Sequence, residues 1–112
     1  ALRVRDLGAP PGEARALFDG ASLAGWSAVG DARWEVEEGA LHGRSREGGG
    51  AQGFLLAEPE LGDFVLVADV LTRGEGNSGI QVRSRVDPDG VVRGPQVELD
   101  PSARRLSGGL HD

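Results

Sequence analysis

Two segments near the end of the chain carry polar side chains in a pattern that could do chemistry. In 78–86 and again in 96–100, apolar and polar residues alternate, which is typical of a β-strand with one face in water. Val97 and Leu99 would then face inward. The outward face would collect Gln81, Arg83, Arg85, Gln96, Glu98 and Asp100. Amides, guanidinium groups and carboxylates on one such face could bind a sugar.

Glu98 and Arg83 are the candidate catalytic residues on this face. The turn 87–90 contains proline and glycine at positions typical of a reversal, so antiparallel pairing would set the arginines near the acids. A glutamate tuned by its neighbours is a common proton shuttle, which makes Glu98 the candidate base or metal ligand. The alternative is that Glu98 and Arg83 form only a cross-strand ion pair on a solvated face.

Five further residues are candidates for contacting a substrate, and each has a plainer alternative. Gln81 and Gln96 could bond to hydroxyl groups, or be ordinary exposed strand residues. Asp69 interrupts an apolar run, where a carboxylate must either lie at a solvent-exposed edge or have a hydrogen-bonding or charged partner. Asp100 precedes a proline and could cap a turn. His111 could supply an imidazole acid or metal ligand, or be an exposed bystander.

Metal and cofactor chemistry is only loosely constrained by the sequence. The chain has no cysteine and no lysine, which excludes thiolate ligands, disulfides and lysine Schiff bases. Aspartate and glutamate oxygens suit Ca²⁺ or Mg²⁺, although no calcium-loop spacing is present. His42 is a lone histidine and a weaker candidate ligand. No cofactor is firmly predicted, and a divalent cation remains possible.

The composition predicts one all-β domain. The 19 glycines and 6 prolines among 112 residues interrupt the chain too often for long helices and favour a sandwich or barrel. A net charge of −6 argues against nucleic acid and anionic membrane surfaces as partners. No apolar run is long enough to cross a membrane. If a signal peptide has been removed, the chain would be periplasmic or extracellular.

The strand pattern gives an expected organisation along the chain. Residues 1–14 would be an N-terminal tether, and 15–112 the domain. Trp26 would plug one end of the core, and 63–72 would be a central strand covered on both faces. Strands are predicted at 16–18, 33–37, 40–44, 54–57, 63–72, 78–86 and 96–100, with a tight hairpin at Glu38-Gly39.

Five pieces of the sequence, in order, carry a resemblance to a known family. They are Leu17-Phe18-Asp19-Gly20 with Gly25-Trp26, Trp34-Glu35-Val36 with Gly39-Ala40-Leu41, Gly62-Asp63-Phe64, Asn77-Ser78-Gly79-Ile80, and Gln96-Val97-Glu98 with Ser107-Gly108-Gly109-Leu110. Over 17–112 the chain resembles the 3-keto-disaccharide hydrolase domains. The resemblance implies a concanavalin-like, antiparallel jelly-roll sandwich that cleaves glycosidic bonds of 3-keto sugars. In such a reaction Glu98 would be the candidate base, and Arg83 would polarise the keto oxygen or bind hydroxyl groups.

Two departures from that family bear on the interpretation. His111 stands where the family commonly has a tyrosine, and the sequence stops before a family domain would end. The sandwich is therefore expected to be incomplete, so that a second chain or a homo-oligomer could complete its sheets. The alternatives to an enzyme are a non-catalytic carbohydrate-binding or adhesive module on the same fold, or an assembly fragment.

Overall fold

A computed structural model describes residues 2–8, 12–45, 53–73, 76–100 and 108–111. These residues contain strands and turns and no helix, and every strand pairing among them is antiparallel. The all-β prediction is confirmed, and the antiparallel sheets are consistent with a β-sandwich. The chain divides into two compact units, Ala1–Asp69 and Val70–Asp112.

The first unit contains three small sheets. Its strands are β1 (Leu2–Asp6), β2 (Arg15–Ala16), β3 (Trp26–Gly30), β4 (Ala32–Glu37), β5 (Ala40–Ser45), β6 (Gly53–Ala57) and β7 (Phe64–Ala68). They pair in the orders β2-β1-β7, β3-β6 and β4-β5.

The second unit contains two sheets. Its strands are β8 (Ser78–Gln81), β9 (Arg85–Val86), β10 (Val92–Arg93), β11 (Gln96–Leu99) and β12 (Leu110–His111). β11 lies between β12 and β8, and β9 pairs with β10.

The segment expected to be a tether contains the middle strand of the first sheet. β1 pairs with β7 along its full length and with β2 on its other side. Val4 is completely buried there, opposite Leu66 of β7. The partner of this five-residue strand lies some 60 positions away in the sequence. The sequence of residues 2–6 therefore contains little that predicts a strand.

The apolar run 63–72 is shorter and less buried as a strand than predicted. Only Phe64–Ala68 forms β7, and its side chains alternate between half-buried and exposed. Val65 and Val67 are 49% and 57% exposed. Among the described residues β7 is the outer strand of its sheet, so the expectation of a central strand covered on both faces is wrong.

The first motif of the chain, around Asp19 and Trp26, serves the turn geometry. The Asp19 Oδ1 atom accepts bonds from the backbone N–H groups of Ala21 and Ser22, both at 2.8 Å. Farther along, the Trp26 indole Nε1 donates to the carbonyl of Leu17 at 3.0 Å. The half-buried Trp26 thus ties the strand β3 to the segment that follows β2, and its polar atom is engaged.

The predicted hairpin at Glu38-Gly39 is confirmed and joins β4 to β5. Both turn residues have positive φ, 49° and 75°, as the two-residue turns that match strand twist require. Trp34 pairs with Gly43 across the hairpin. A Cβ atom at Gly43 would lie 2.3 Å from the Trp34 ring, so the missing side chain leaves room for the indole.

The segment 78–86 is two strands rather than one. β8 ends at Gln81, and Arg83 has a φ of 48°, a left-handed conformation that a continuous strand does not contain. The chain then re-enters a strand at β9. The reversal predicted at 87–90 is confirmed, but it leads first to the short strand β10, which the sequence pattern did not predict. In that turn Gly90 N donates to Asp87 O at 2.9 Å.

Candidate active site

The candidate site lies on the three-stranded sheet of the second unit. β11 is its middle strand, and the register sets Glu98 opposite Gly79 of β8. Gln96 lies opposite Gln81 on one side and opposite His111 on the other. The backbone of Glu98 is tied to the segment leading into β12, because its N–H donates to Gly109 O at 2.9 Å and its carbonyl accepts from Gly108 N at 2.8 Å.

The burial of β11 is the reverse of the sequence prediction. Glu98 is only 7% exposed and Asp100 only 3%, whereas Val97 is 38% exposed. Alternation places Glu98 and Val97 on opposite faces as predicted, but the polar face is the covered one. The carboxylates of Glu98 and Asp100 are therefore covered by protein, whereas Gln96 at the start of the strand is half-buried.

Glu98 is held by two side-chain amides. The Asn77 Nδ2 atom donates to Glu98 Oε2 at 2.8 Å, and Gln96 Nε2 donates to Glu98 Oε1 at 2.8 Å. A buried carboxylate needs such donors to offset the loss of water. One amide donates to each carboxylate oxygen, so the two amides together fix the orientation of the group.

The register does not place Arg83 opposite Glu98. The position opposite Glu98 is taken by Gly79, and Arg83 lies beyond the end of β8 with an exposed side chain. The reason is the left-handed backbone at Arg83, which interrupts the extended strand, so that Arg83 falls outside the register of β8 with β11. No spacing rule for a regular strand would reveal this break.

Four of the five residues predicted to contact a substrate lie on or next to the sheet of β11, and the fifth belongs to the first unit. Gln81 and Gln96 are half-buried cross-strand neighbours, whose amides are bonded at 3.3 Å. Asp100 directly follows β11 and is buried, unlike the exposed position expected for it. His111 occupies the ladder position opposite Gln96. Asp69 is exposed at the end of β7 and belongs to the first unit.

Asn77 is a contact residue that the sequence argument missed. Asparagine before a strand is typical of a turn, because it tolerates left-handed backbone, so residue type alone does not indicate this contact. The signal that could have identified it is its place two residues before Gly79, the residue opposite Glu98. A polar side chain there lies within reach of the glutamate.

A separate group on the β4–β5 hairpin brings together three possible metal ligands. Ligand atoms of Glu35, Glu37 and His42 all lie within 4.8 Å of one another, because Glu35 pairs with His42 and Glu37 is two residues along the same face. His42 Nδ1 is 2.9 Å from Glu37 Oε2, and Arg44 Nη2 is 4.0 Å from Glu35 Oε1. A partly exposed cluster of polar side chains that bond to one another accounts for this arrangement, so His42 is not the isolated histidine that the sequence predicts.

The family comparison agrees with the resemblance seen in the sequence. The family described as the 3-keto-alpha-glucoside-1,2-lyase-like domain matches residues 13–112. The chain belongs to this family. No match to the chain was found among curated proteins or solved structures.

Membership gives the lyase-like domain a carbohydrate-related role at the level of the family. The matched span includes β8, β11 and β12, so the sheet that holds Glu98 lies within it. Among the described residues, no helix of the lyase-like domain is long and apolar enough to cross a membrane.

Proposed function

We propose that this domain cleaves the glycosidic bond of 3-keto sugars, with Glu98 as the base that removes the proton at C2. The observation that supports the proposal is the Glu98 carboxylate, buried within the family-matched span and oriented by Asn77 and Gln96. A buried, oriented carboxylate is the kind of group that proton abstraction needs.

The ketone makes the reaction accessible to a single carboxylate. A carbonyl at C3 acidifies the neighbouring C2–H bond, because the electron pair left behind can delocalise onto the ketone oxygen. When Glu98 takes that proton, the electron pair forms a C1–C2 double bond and the C1–O bond breaks. The departing oxygen takes up a proton, and water can then add to the unsaturated product.

Arg83 and the amides have proposed roles beside this base. A guanidinium group or amide N–H that donates to the ketone oxygen would stabilise the negative charge as it develops there. Arg83 is proposed for this contact, and Gln81, Asp100, Asp69 and His111 stay proposals for binding the sugar. Asn77 and Gln96 are proposed to fix the direction from which Glu98 approaches C2.

The experiment compares Glu98→Gln with the wild-type protein on a 3-keto-disaccharide, following product by chromatography. Glutamine keeps the size of the side chain but does not act as a general base, so kcat/KM should fall about 10²–10⁴-fold. Glu60→Gln is the matched control, since Glu60 is an exposed carboxylate of the first unit, and its activity should equal that of wild type.

Retention of wild-type activity by Glu98→Gln would contradict the assignment of Glu98 as the base. Calorimetric binding of the disaccharide by wild type without any product would instead favour a carbohydrate-binding module. The aromatic residues argue against that outcome, because all three phenylalanines and both tryptophans are half-buried and offer no fully exposed stacking surface.

A further inference from the structure

A chain of side-chain hydrogen bonds leads across the sheet to Glu98. The Ser84 Oγ atom donates to Gln81 Oε1 at 3.2 Å, Gln81 Nε2 donates to Gln96 Oε1 at 3.3 Å, and Gln96 in turn donates to Glu98. Each donor points toward Glu98, which is the final acceptor. This hydrogen-bond chain therefore has a fixed direction.

The direction depends on Gln81. A primary amide accepts at its oxygen and donates at its nitrogen, so the orientation of one amide fixes that of the next. While Gln81 offers an N–H to Gln96 Oε1, the Gln96 nitrogen must face Glu98. If Gln81 offered an oxygen instead, Gln96 would rotate and present its own oxygen to the carboxylate, which is repulsive.

Two glycines leave space for this chain. A Cβ atom at Gly79 would lie 2.4 Å from Gln96 Cγ and 2.5 Å from its Nε2, so the Gln96 side chain crosses β8 where no side chain is present. A Cβ atom at Gly94 would lie 2.4 Å from Ser84 Oγ. The side chains of Gln96 and Ser84 therefore each lie over a residue that lacks a Cβ atom.

The contribution of Ser84 is smaller than that of Gln81. Its hydroxyl has one proton and lies within bonding distance of two acceptors, Gln81 Oε1 and the carbonyl of Val82 at 3.1 Å. The left-handed backbone at Arg83 turns the chain so that Ser84 lies over Gln81 instead of continuing along β8.

We infer that Gln81 is a positioning residue for Glu98, acting through Gln96 with Ser84 as its outer support. The inference rests on the proposed role of Glu98, and it adds Gln81, which is linked to the base through Gln96. A misdirected catalytic group loses rate even when substrate binding is retained, since small errors in approach geometry can cost up to about 100-fold.

The test compares Gln81→Leu and Gln81→Glu with wild type on a 3-keto-disaccharide. Leucine removes the donor, and kcat should fall roughly 10-fold. A KM within about 3-fold of the wild-type value would favour the positioning role over the sugar contact that is also proposed for Gln81. Glutamate supplies only acceptors, so it should rotate the Gln96 amide and lower kcat further, by roughly 100-fold. Ser84→Val should have a smaller effect, which Ser84→Thr should restore because threonine keeps the hydroxyl.

An NMR measurement separates this inference from the proposed function. The side-chain amide signals of Gln96 should shift in both Gln81 variants, and Gly79→Ala should shift them as well. Gly76→Ala is the control, because a Cβ atom there meets nothing within 4 Å, and it should leave them unchanged. These shifts can be read even if Glu98 proves not to be the base.

Equal kcat values for wild type, Gln81→Leu and Gln81→Glu would overturn the inference, as would unshifted Gln96 amide signals in both variants. Loss of activity in Glu98→Gln with wild-type activity in the Gln81 variants would keep the proposed base and exclude the positioning role.

Discussion

At the scale of single residues, Arg83 is notable for its left-handed backbone conformation, which the sequence pattern does not predict. A left-handed conformation costs an L-residue other than glycine about 1–2 kcal/mol, and the sequence around Arg83 contains no glycine that would have announced it. The candidate site therefore includes an unfavourable backbone conformation immediately beside the two strands that carry Gln81 and Glu98.

The contrast between Arg83→Asn and Arg83→Val tests this conformation. Both variants lose the guanidinium group, but asparagine tolerates positive φ whereas a β-branched residue does not. Arg83→Val should be less stable than Arg83→Asn by about 1 kcal/mol in urea unfolding. Equal unfolding midpoints for the two variants would show that the position relaxes to an ordinary conformation.

Glu98 could be picked out from the sequence, whereas its surroundings could not. Alternation shows which residues share a face, but it does not show which face is covered when the polar side chains satisfy each other. The contacts from Asn77 and Gln96 are what make a covered glutamate tolerable. These contacts depend on the register of β8 with β11. That register stops at the left-handed backbone of Arg83, which no alternating pattern in the sequence reveals.

At the scale of elements, local turn chemistry was predictable and long-range pairing was not. The hairpins at Glu38-Gly39 and 87–90 have turn residues suited to positive φ or a reversal, and both formed as expected. The pairing of β1 with β7 joins segments far apart in the sequence. Nothing local to 2–6 specifies such a partner, so these residues were interpreted as a tether.

The contact of Trp34 with Gly43 makes an element-scale prediction. Gly43→Ala would place a methyl group within 2.3 Å of the indole, and the displaced ring should lower the free energy of unfolding by about 1–3 kcal/mol. Gly62→Ala is the control, because a Cβ atom there meets nothing within 4 Å. Comparable urea midpoints for the two variants would contradict the prediction.

At the scale of the whole molecule, acid should destabilise both units. Backbone N–H groups of Ala21 and Ser22 lower the pKa of Asp19 below its ordinary value of 3.8. Hydrogen bonds from Arg85 and then Arg93 lower the pKa of Asp87 in the same way. A carboxylate whose pKa is lower in the folded than in the unfolded state stabilises the fold fully when the pH is above its unfolded-state pKa. This stabilisation is lost as the pH falls through its folded-state pKa.

The urea midpoint should therefore decrease as the pH is lowered from about 6 to about 2. In Asp87→Asn the side chain cannot ionise, so part of the pH dependence is removed. The urea midpoint of this variant should therefore fall less than that of wild type between these two pH values. Glu60→Gln is the control because Glu60 is an exposed carboxylate of the first unit. A decrease in Asp87→Asn as large as that of wild type would show that Asp87 does not contribute.

The backbone bonds of Glu98 give its amide proton a use as a reporter. Consecutive residues of a middle strand direct their amides to opposite neighbours, and the amide of Glu98 bonds to Gly109 on the β12 side. Its hydrogen–deuterium exchange rate therefore measures how often the 108–111 segment separates from β11. The amide of Val97, directed to β8, reports the opening of the other edge, so two adjacent protons time the two sides of the same sheet independently.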